Sequence, residues 1–307
     1  MAAPQLPADV AKALTDPKAY GEWNGLHDKF AWARANAPLA VAEVPDYDPF
    51  WAVTRHVDIM EVSRNNKLYA SGVRQTTLTM KAIDALVRTQ IPDGHLIKSL
   101  VQMDAPDHMK FRLLTQTWFM PKNLRILEDR IREIARETVD HMLSLGDECD
   151  FARDVALHYP LRVVMNILGV PREDEPRMLL LTQQLFGGQD KDLSGSGMDQ
   201  MTPEQVVQIV AGAVKTFEDY FAALAEDRRR NPTDDVASVI ANALVDGKPL
   251  PPRDMAGYYI IVATAGHDTT SASTAGAMQA LSLDPEQFAR VRADRSLLPG
   301  IVEEAIR

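Results

Sequence analysis

Tyr258–Thr270, YYIIVATAGHDTT, is an apolar run that closes on a small residue, a glycine, a histidine, an acid and two threonines. Pro251 and Pro252 precede it, and small residues continue from Ser271 through Ala280 to Leu283, before Asp284-Pro285. The pattern predicts one helix of about thirty residues, too polar at its centre to span a membrane and too apolar to lie on a surface. A helix buried on most faces is the axle of an α-rich domain. Asp268 and Thr269 fall near the same inner stripe as Ile261 and Ala265. The Thr269 hydroxyl can bond back to the Ala265 carbonyl, which bends a helix, and Gly266 in the same turn favours a local opening of the hydrogen-bond ladder. An acid and a hydroxyl beside such a notch can hold water and relay protons. The same residues also fit a buried helix with a satisfied Asp268 and a Thr269 facing its own backbone.

The rest of the chain supplies helices to surround that axle. Near the N-terminus a short helical piece is expected at Gly25–Asn36, and Phe50–Thr54 reads as a strand with Val41–Val44 as its partner. His56–Asn65 looks helical. Tyr69–Gln102 is weakly patterned, with a short helix at Met80–Thr89 and the breaker run Pro92-Asp93-Gly94; such a segment is expected to line or gate a pocket. Helices are then expected over Asp104–Phe119, Pro121–Leu145, Asp154–Leu168 and Arg172–Phe186. The glycines of Gly187–Gly197 lack both P-loop spacing and a preceding strand, so this is a flexible loop and no phosphate site. Thr202-Pro203-Glu204-Gln205 is a capping box with proline at the first helical position. Asp234–Leu244, Asp284–Ala293 and Leu297–Arg307 complete the set. No repeat and no linker interrupts the pattern, which reads as one large, mainly α domain over residues 1–307.

Charge and cysteine content narrow the partners. The formal net charge is −10, which argues against nucleic acid. Cys149 is the only cysteine, so no internal disulfide framework and no cysteine-rich zinc site is expected. MAAPQLPADVAKAL lacks a basic start followed by an apolar run, and the protein is expected to be cytoplasmic, with no membrane anchor.

Two further pairs carry chemistry. His108 and Arg112 lie four apart on one helix face and together suit a carboxylate-bearing ligand, although a surface histidine and a salt-bridged arginine have the same spacing. Glu304 and Arg307 form an i, i+3 pair of a kind common on helix surfaces. The doublet His267-Asp268, with His108, His141 or His158, leaves open a metal-dependent phosphohydrolase, in which the flanking Ala-Gly and Thr-Thr would have no role.

In this order and at these separations the motifs resemble those of a cytochrome P-450 of the soluble bacterial kind. Ala265-Gly266-His267-Asp268-Thr269-Thr270 matches the family's [Ala/Gly]-Gly-x-[Asp/Glu]-Thr-[Thr/Ser] in full. His108 and Arg112 match its His-x-x-x-Arg, Glu304 and Arg307 match its Glu-x-x-Arg, and Ile167-Leu168-Gly169-Val170-Pro171 matches the joint between its helices E and F. The resemblance covers roughly Asp48 to Arg307.

It implies a haem-thiolate monooxygenase, with iron protoporphyrin IX as cofactor. Such an enzyme inserts one oxygen atom of O2 into an apolar small molecule (a terpene, steroid or aromatic), using electrons from a ferredoxin-type partner, and acts as a monomer. Asp268 and Thr269 would be the acid–alcohol pair that delivers protons, and Ala265 and Gly266 would form the oxygen-side groove. His108 and Arg112 would hold a haem propionate. Glu304 and Arg307 would belong to a buried charge network, while Ile261, Thr264 and Ala265 would face the substrate. No role falls to His267. The family's Phe-x-x-Gly-x-x-x-Cys-x-Gly ligand loop is not found among these residues. Cys149, in the acidic string GDECDF, is a poor thiolate. The resemblance therefore implies an incomplete cytochrome P-450 fold whose iron ligand lies beyond residue 307, and an inactive fragment as it stands. A truncated, non-catalytic relative is the alternative.

Overall fold

The computed structural model describes residues 3–21, 23–187 and 201–307, so most of the glycine-rich stretch 187–197 lies outside the described residues. Two compact units emerge, Met1–Phe111 with Thr182–Phe217, and Arg112–Leu181 with Glu218–Arg307. The boundaries fall inside helices rather than in linkers, which is why no composition shift marks them.

In chain order the first unit holds α1 (Ala8–Ala13), α2 (Pro17–Gly21), α3 (Trp23–Asn36), β1 (Leu39–Ala42), β2 (Phe50–Val53), α4 (His56–Arg64) and α5 (Lys81–Gln90). The expected strand pair forms as an antiparallel ribbon, with its first strand starting two residues earlier than expected, so that Leu39 faces Val53 and Ala42 faces Phe50. Its inner face and the helices beside it are alanine-rich. Ala11, Ala33, Ala40, Ala42 and Ala52 are buried with Leu6 and Val10, and small side chains let helix and ribbon approach closely.

The weakly patterned 69–102 segment is tied down by specific bonds. The Asp104 carboxylate accepts from the backbone N–H groups of Ser71 (2.9 Å) and Gly72 (2.8 Å). Those two bonds, with the His108 charge, hold its carboxyl below the usual carboxylate range. Arg74 bridges Asp48 and the buried Asp84, each at 2.8 Å, and Arg88 meets Asp84 at 3.0 Å. The same unit carries a shallow pocket lined by Leu14, Thr15, Pro17, Tyr20, Tyr47 and Leu78, none of them an expected site residue.

Further along the chain come α6 (Asp107–Gln116), α7 (Pro121–Ser144), a π-helical turn (Phe151–Ala156), α8 (His158–Leu168), α9 (Glu175–Phe186), α10 (Pro203–Arg230) and α11 (Val236–Ala241). They are followed by a hairpin of β3 (Leu244–Val245) and β4 (Lys248–Pro249), then α12 (Pro252–Ala265), α13 (Asp268–Leu283), α14 (Pro285–Ala293) and α15 (Leu298–Ile306). The helix expected over Asp154–Leu168 is interrupted, because Pro160 cannot donate to the carbonyl four residues back. The one expected over Asp234–Leu244 stops at Ala241. Asp246 (φ 50°) and Gly247 (φ 75°) instead make the two-residue turn of a hairpin. The capping box forms as expected: Gln205 N–H donates to Thr202 Oγ1 (3.3 Å), and Thr202 N–H donates to Gln205 Oε1 (2.9 Å).

The core of the second unit is built on α12. Tyr258, Tyr259 and Ile260 are buried there with Ile134, Met165, Leu168 and Phe221. The Tyr259 ring stacks on Phe221 with centroids 4.9 Å apart and planes 6° apart, and its hydroxyl donates to the Ala237 carbonyl at 2.7 Å. Gly169 caps α8 in the left-handed region (φ 71°), where a Cβ would lie 2.0 Å from Asp235 Oδ2. Arg228 closes this corner by donating to Asp235 (2.7 Å) and to the Gly169 carbonyl (2.8 Å).

Candidate active site at the break between two helices

The single long helix expected at the centre is two, α12 and α13, separated at Gly266-His267. Three local bonds build the break. His267 N–H donates to the Thr264 carbonyl at 3.2 Å, a tighter turn than an α-helix makes. The freed Ala265 carbonyl is taken up by the Thr269 hydroxyl at 3.0 Å, the back-bond that the sequence spacing predicts. Ser271 N–H then donates to the His267 carbonyl at 2.9 Å and restarts the helix.

Tertiary contacts fix the break in place. A Cβ on Gly266 would lie 2.8 Å from Val164 Cγ2, so the missing side chain lets α8 approach. His267 is fully buried, with Nε2 2.8 Å from the Leu157 carbonyl oxygen and Nδ1 3.2 Å from Asp268 Oδ1. Asp268 is half-buried. Burial raises its carboxyl above the ordinary range, and the neighbouring His267 opposes the rise.

Ile261 is half-buried, while Ala265 and Thr269, joined across the break by the Thr269 back-bond, are exposed. Thr264 departs from the expected substrate-facing role. It is buried, and its hydroxyl donates to the Ile260 carbonyl at 2.8 Å. Gly266 likewise serves the packing against Val164.

On α6, Thr115 shares a 2.8 Å hydrogen bond with the buried Tyr258 hydroxyl, which ties that part of the helix to α12. Burial pushes the Tyr258 phenol up, and the Arg112 guanidinium, one turn before Thr115, counters this among lesser effects. Arg112 is exposed and makes no ion pair among the described residues. His108 lies four residues earlier on α6 and is half-buried. Glu304 and Arg307 do pair, with Arg307 Nε donating to Glu304 Oε2 at 3.0 Å, and both side chains are exposed within residues 1–307. Cys149 is exposed.

A cytochrome P-450 family model matches residues 55–299. The chain belongs to the cytochrome P-450 family. Among curated relatives of the family, cytochrome P-450-terp from Pseudomonas sp is 40% identical over 98% of this chain and 71% of its own length. A steroid C26-monooxygenase from Rhodococcus jostii is 28% identical over 96% of this chain and 59% of its own. The crystal structure of CYP108D1 from Novosphingobium aromaticivorans superposes with a TM-score of 0.88 at 55% identity, covering 99% of this chain and 71% of that one. CYP268A2 from Mycobacterium marinum, in complex with pseudoionone, gives 0.79 at 27% identity, covering 96% and 69%.

The cytochrome P-450 cofactor is haem iron, and the residues present suit it. Arg112 offers an unpaired guanidinium to a carboxylate. Ala265 and Thr269 offer exposed small side chains, and the Asp268–Thr269 corner supplies an acid and a hydroxyl. Among the described residues no three His, Cys, Asp or Glu side chains cluster to hold a bare metal ion, so His267-Asp268 with His108, His141 or His158 forms no phosphohydrolase centre. No helix among the described residues is long and apolar enough to cross a membrane. Sequence reasoning gave His267 no role. Its signal was a titratable side chain one residue after a helix-opening glycine.

Proposed function

We propose that this protein contributes the oxygen-side wall of a haem monooxygenase that inserts one atom of O2 into an apolar small molecule, a terpene before a steroid, with electrons from a ferredoxin-type donor. The observation that carries the reading is the break at Gly266-His267, which sets Asp268 and the back-bonded Thr269 beside the exposed Ala265. The terpene class is supported by the 40% identity to cytochrome P-450-terp. When bound, haem supplies oxygen activation, and the chain's own residues bind and protonate.

Arg112 and His108 would hold a propionate, the one as a fork of N–H donors and the other as a ring N–H. Ile261 and Ala265 would present an apolar surface to the substrate and exclude water there. Asp268 would carry a proton to the Thr269 hydroxyl. That hydroxyl donates its own hydrogen to the Ala265 carbonyl in the resting arrangement, and would rotate to hand it on. The iron thiolate would come from sequence outside residues 1–307, because the exposed Cys149 does not stand in the family's glycine-rich ligand-loop motif.

The test is reconstitution of the whole enzyme with haem, a ferredoxin and its reductase. Consumption of reductant and O2 with a hydroxylated terpene as product supports the reading. Failure to take up haem, or metal-dependent phosphate release from a phosphomonoester, overturns it. In the 307-residue chain alone, haemin is expected to bind weakly and without the red-shifted reduced-CO band of thiolate ligation. A band that Cys149→Ser removes would refute the assignment of the ligand.

A further inference from the structure

Among the described residues 112–120, Thr115 alone is buried; Leu114 and Trp118 are half-buried and the others exposed. The Thr115 hydroxyl meets the Tyr258 hydroxyl at 2.8 Å, and Tyr258 is itself 2% exposed. The Thr115 carbonyl accepts from Trp118 N–H (3.0 Å) and Phe119 N–H (3.3 Å), in the turn where α6 ends. This stretch of α6 therefore has one buried side chain, and a hydrogen bond gives that side chain a fixed direction.

Tyr258 occupies a telling place on α12. Residues seven apart share a helix face to within about 20° and stand about 10.5 Å apart along the axis. Tyr258 and Ala265 are such a pair, both inside α12. Along their face burial falls from Tyr258, which is buried, through the half-buried Ile261 and Val262 to the exposed Ala265. The face is sealed where Thr115 meets it and open two turns later. Arg112 stands one turn before Thr115 and within electrostatic reach of the phenol. Burial pushes the Tyr258 phenol up, and the Thr115 bond and the Arg112 charge only oppose the rise, so the phenol keeps its hydrogen at neutral pH. Two hydroxyls bond whichever of them donates.

We propose that Tyr258 and Thr115 are positioning residues that act through Arg112: their bond fixes α6 on α12, and with it the reach from the Arg112 guanidinium to the open end of the face at Ala265. A guanidinium fork matches a carboxylate in one plane, so a helix free to shift by about 1 Å loses the bidentate fit. The use of that reach in gripping a cofactor carboxylate rests on the haem reading above. The tie between the two helices rests only on the two hydroxyls.

The test uses the whole haem-loaded enzyme. Tyr258→Phe keeps the ring and removes the hydroxyl, while Thr115→Ser keeps a hydroxyl and serves as the conservative control. Should Tyr258→Phe fold poorly, Thr115→Val combined with it leaves no unpaired buried group and takes its place. Amide hydrogen exchange over residues 112–120 is expected to quicken in Tyr258→Phe and to stay near the parent's in Thr115→Ser. Release of haem to excess apomyoglobin should speed up about three- to tenfold in Tyr258→Phe. Arg112→Ala should speed it too, and adding Tyr258→Phe to Arg112→Ala should change little more, because the bond then has no guanidinium to aim. Two factors that multiply would mean that the bond serves the fold and not Arg112, which overturns the positioning role. Unchanged exchange in Tyr258→Phe overturns the tie itself. Release that Arg112→Ala does not alter refutes the haem reading of Arg112, and the positioning role with it, an outcome recognised from the Arg112→Ala protein alone.

Discussion

Gly266 and Val164 meet where α12 ends and α8 passes, and a Cβ on the glycine would stand 2.8 Å from Val164 Cγ2. The backbone of Gly266 (φ −85°, ψ −9°) is open to any residue, so the glycine is required by the neighbour and not by its own torsions. Gly266→Ala should therefore cost about 1–3 kcal/mol of overpacking, against roughly 0.4–1 kcal/mol gained from a less flexible unfolded chain. A net loss in urea-unfolding midpoint is expected. Val164→Ala in the same chain should recover most of it. If the two substitutions simply add, the close approach of α8 is not what the glycine serves.

Thr269 donates to the Ala265 carbonyl at the break, so removing its hydroxyl changes little in the fold and much in the chemistry. Thr269→Ala should unfold within about 1 kcal/mol of the parent, since a single exposed side-chain hydrogen bond is all that is lost. In the reconstituted enzyme it should keep haem and substrate while diverting reducing equivalents to hydrogen peroxide. Thr269→Ser, which restores the hydroxyl, should bring product back. Unchanged product per electron in the alanine variant would remove Thr269 from proton delivery.

Arg112 is an exposed cation on a helix otherwise anchored by the Thr115–Tyr258 hydrogen bond. Arg112→Ala should leave the stability of the haem-free chain within about 0.5 kcal/mol, as surface changes do. Haem retention should fall, by roughly tenfold or more for the loss of a charged hydrogen-bond pair. Arg112→Lys should recover only part of it, because an ammonium lacks the planar fork. Equal haem content across the three proteins, read from the Soret absorbance per chain, would refute the propionate role.

Much of this was legible in the chain itself, for local reasons. The back-bond from Thr269, the box at Thr202–Gln205 and the ribbon at residues 39–53 all follow from spacing within a few residues. The interruption of the Asp154–Leu168 helix and the hairpin at Asp246-Gly247 had local signals too, in Pro160 and in the Asp-Gly turn, but apolar periodicity outweighed them. Other features were hidden because they are made at a distance. The full separation of α12 from α13 depends on His267 reaching the Leu157 carbonyl, 110 residues away in sequence. Thr264 was expected to face the substrate from the family resemblance, yet the 3.6-residue period fits equally a threonine facing inward and bonded to Ile260. The exposure of Glu304 and Arg307 depends on what surrounds α15, which an i, i+3 spacing does not specify.

Asp235 provides a pH-dependent test of the fold that is independent of the site. It is buried at the N-cap of α11, where burial raises its carboxyl, but hydrogen bonds from Thr233, Ser238 and Arg228 outweigh this and hold it below the usual aspartate range. A depressed folded-state value means stability that is complete above the unfolded value of about 3.9 and is lost as pH falls through the folded one. Asp235→Asn should then cost about 2–4 kcal/mol at pH 7, because Arg228 loses its buried partner. The gap between parent and variant should narrow as the pH falls below the unfolded value and close as it passes through the parent's depressed folded-state value, where its carboxyl is also protonated. Gly169→Ala, which drives a methyl into the same carboxylate from a left-handed backbone position, should produce a loss at least as large at both pH values. Urea denaturation of the three proteins at pH 7 and near pH 3 reads this directly, and an Asp235→Asn penalty that persists undiminished at low pH would show that the carboxylate's charge is not what secures the corner.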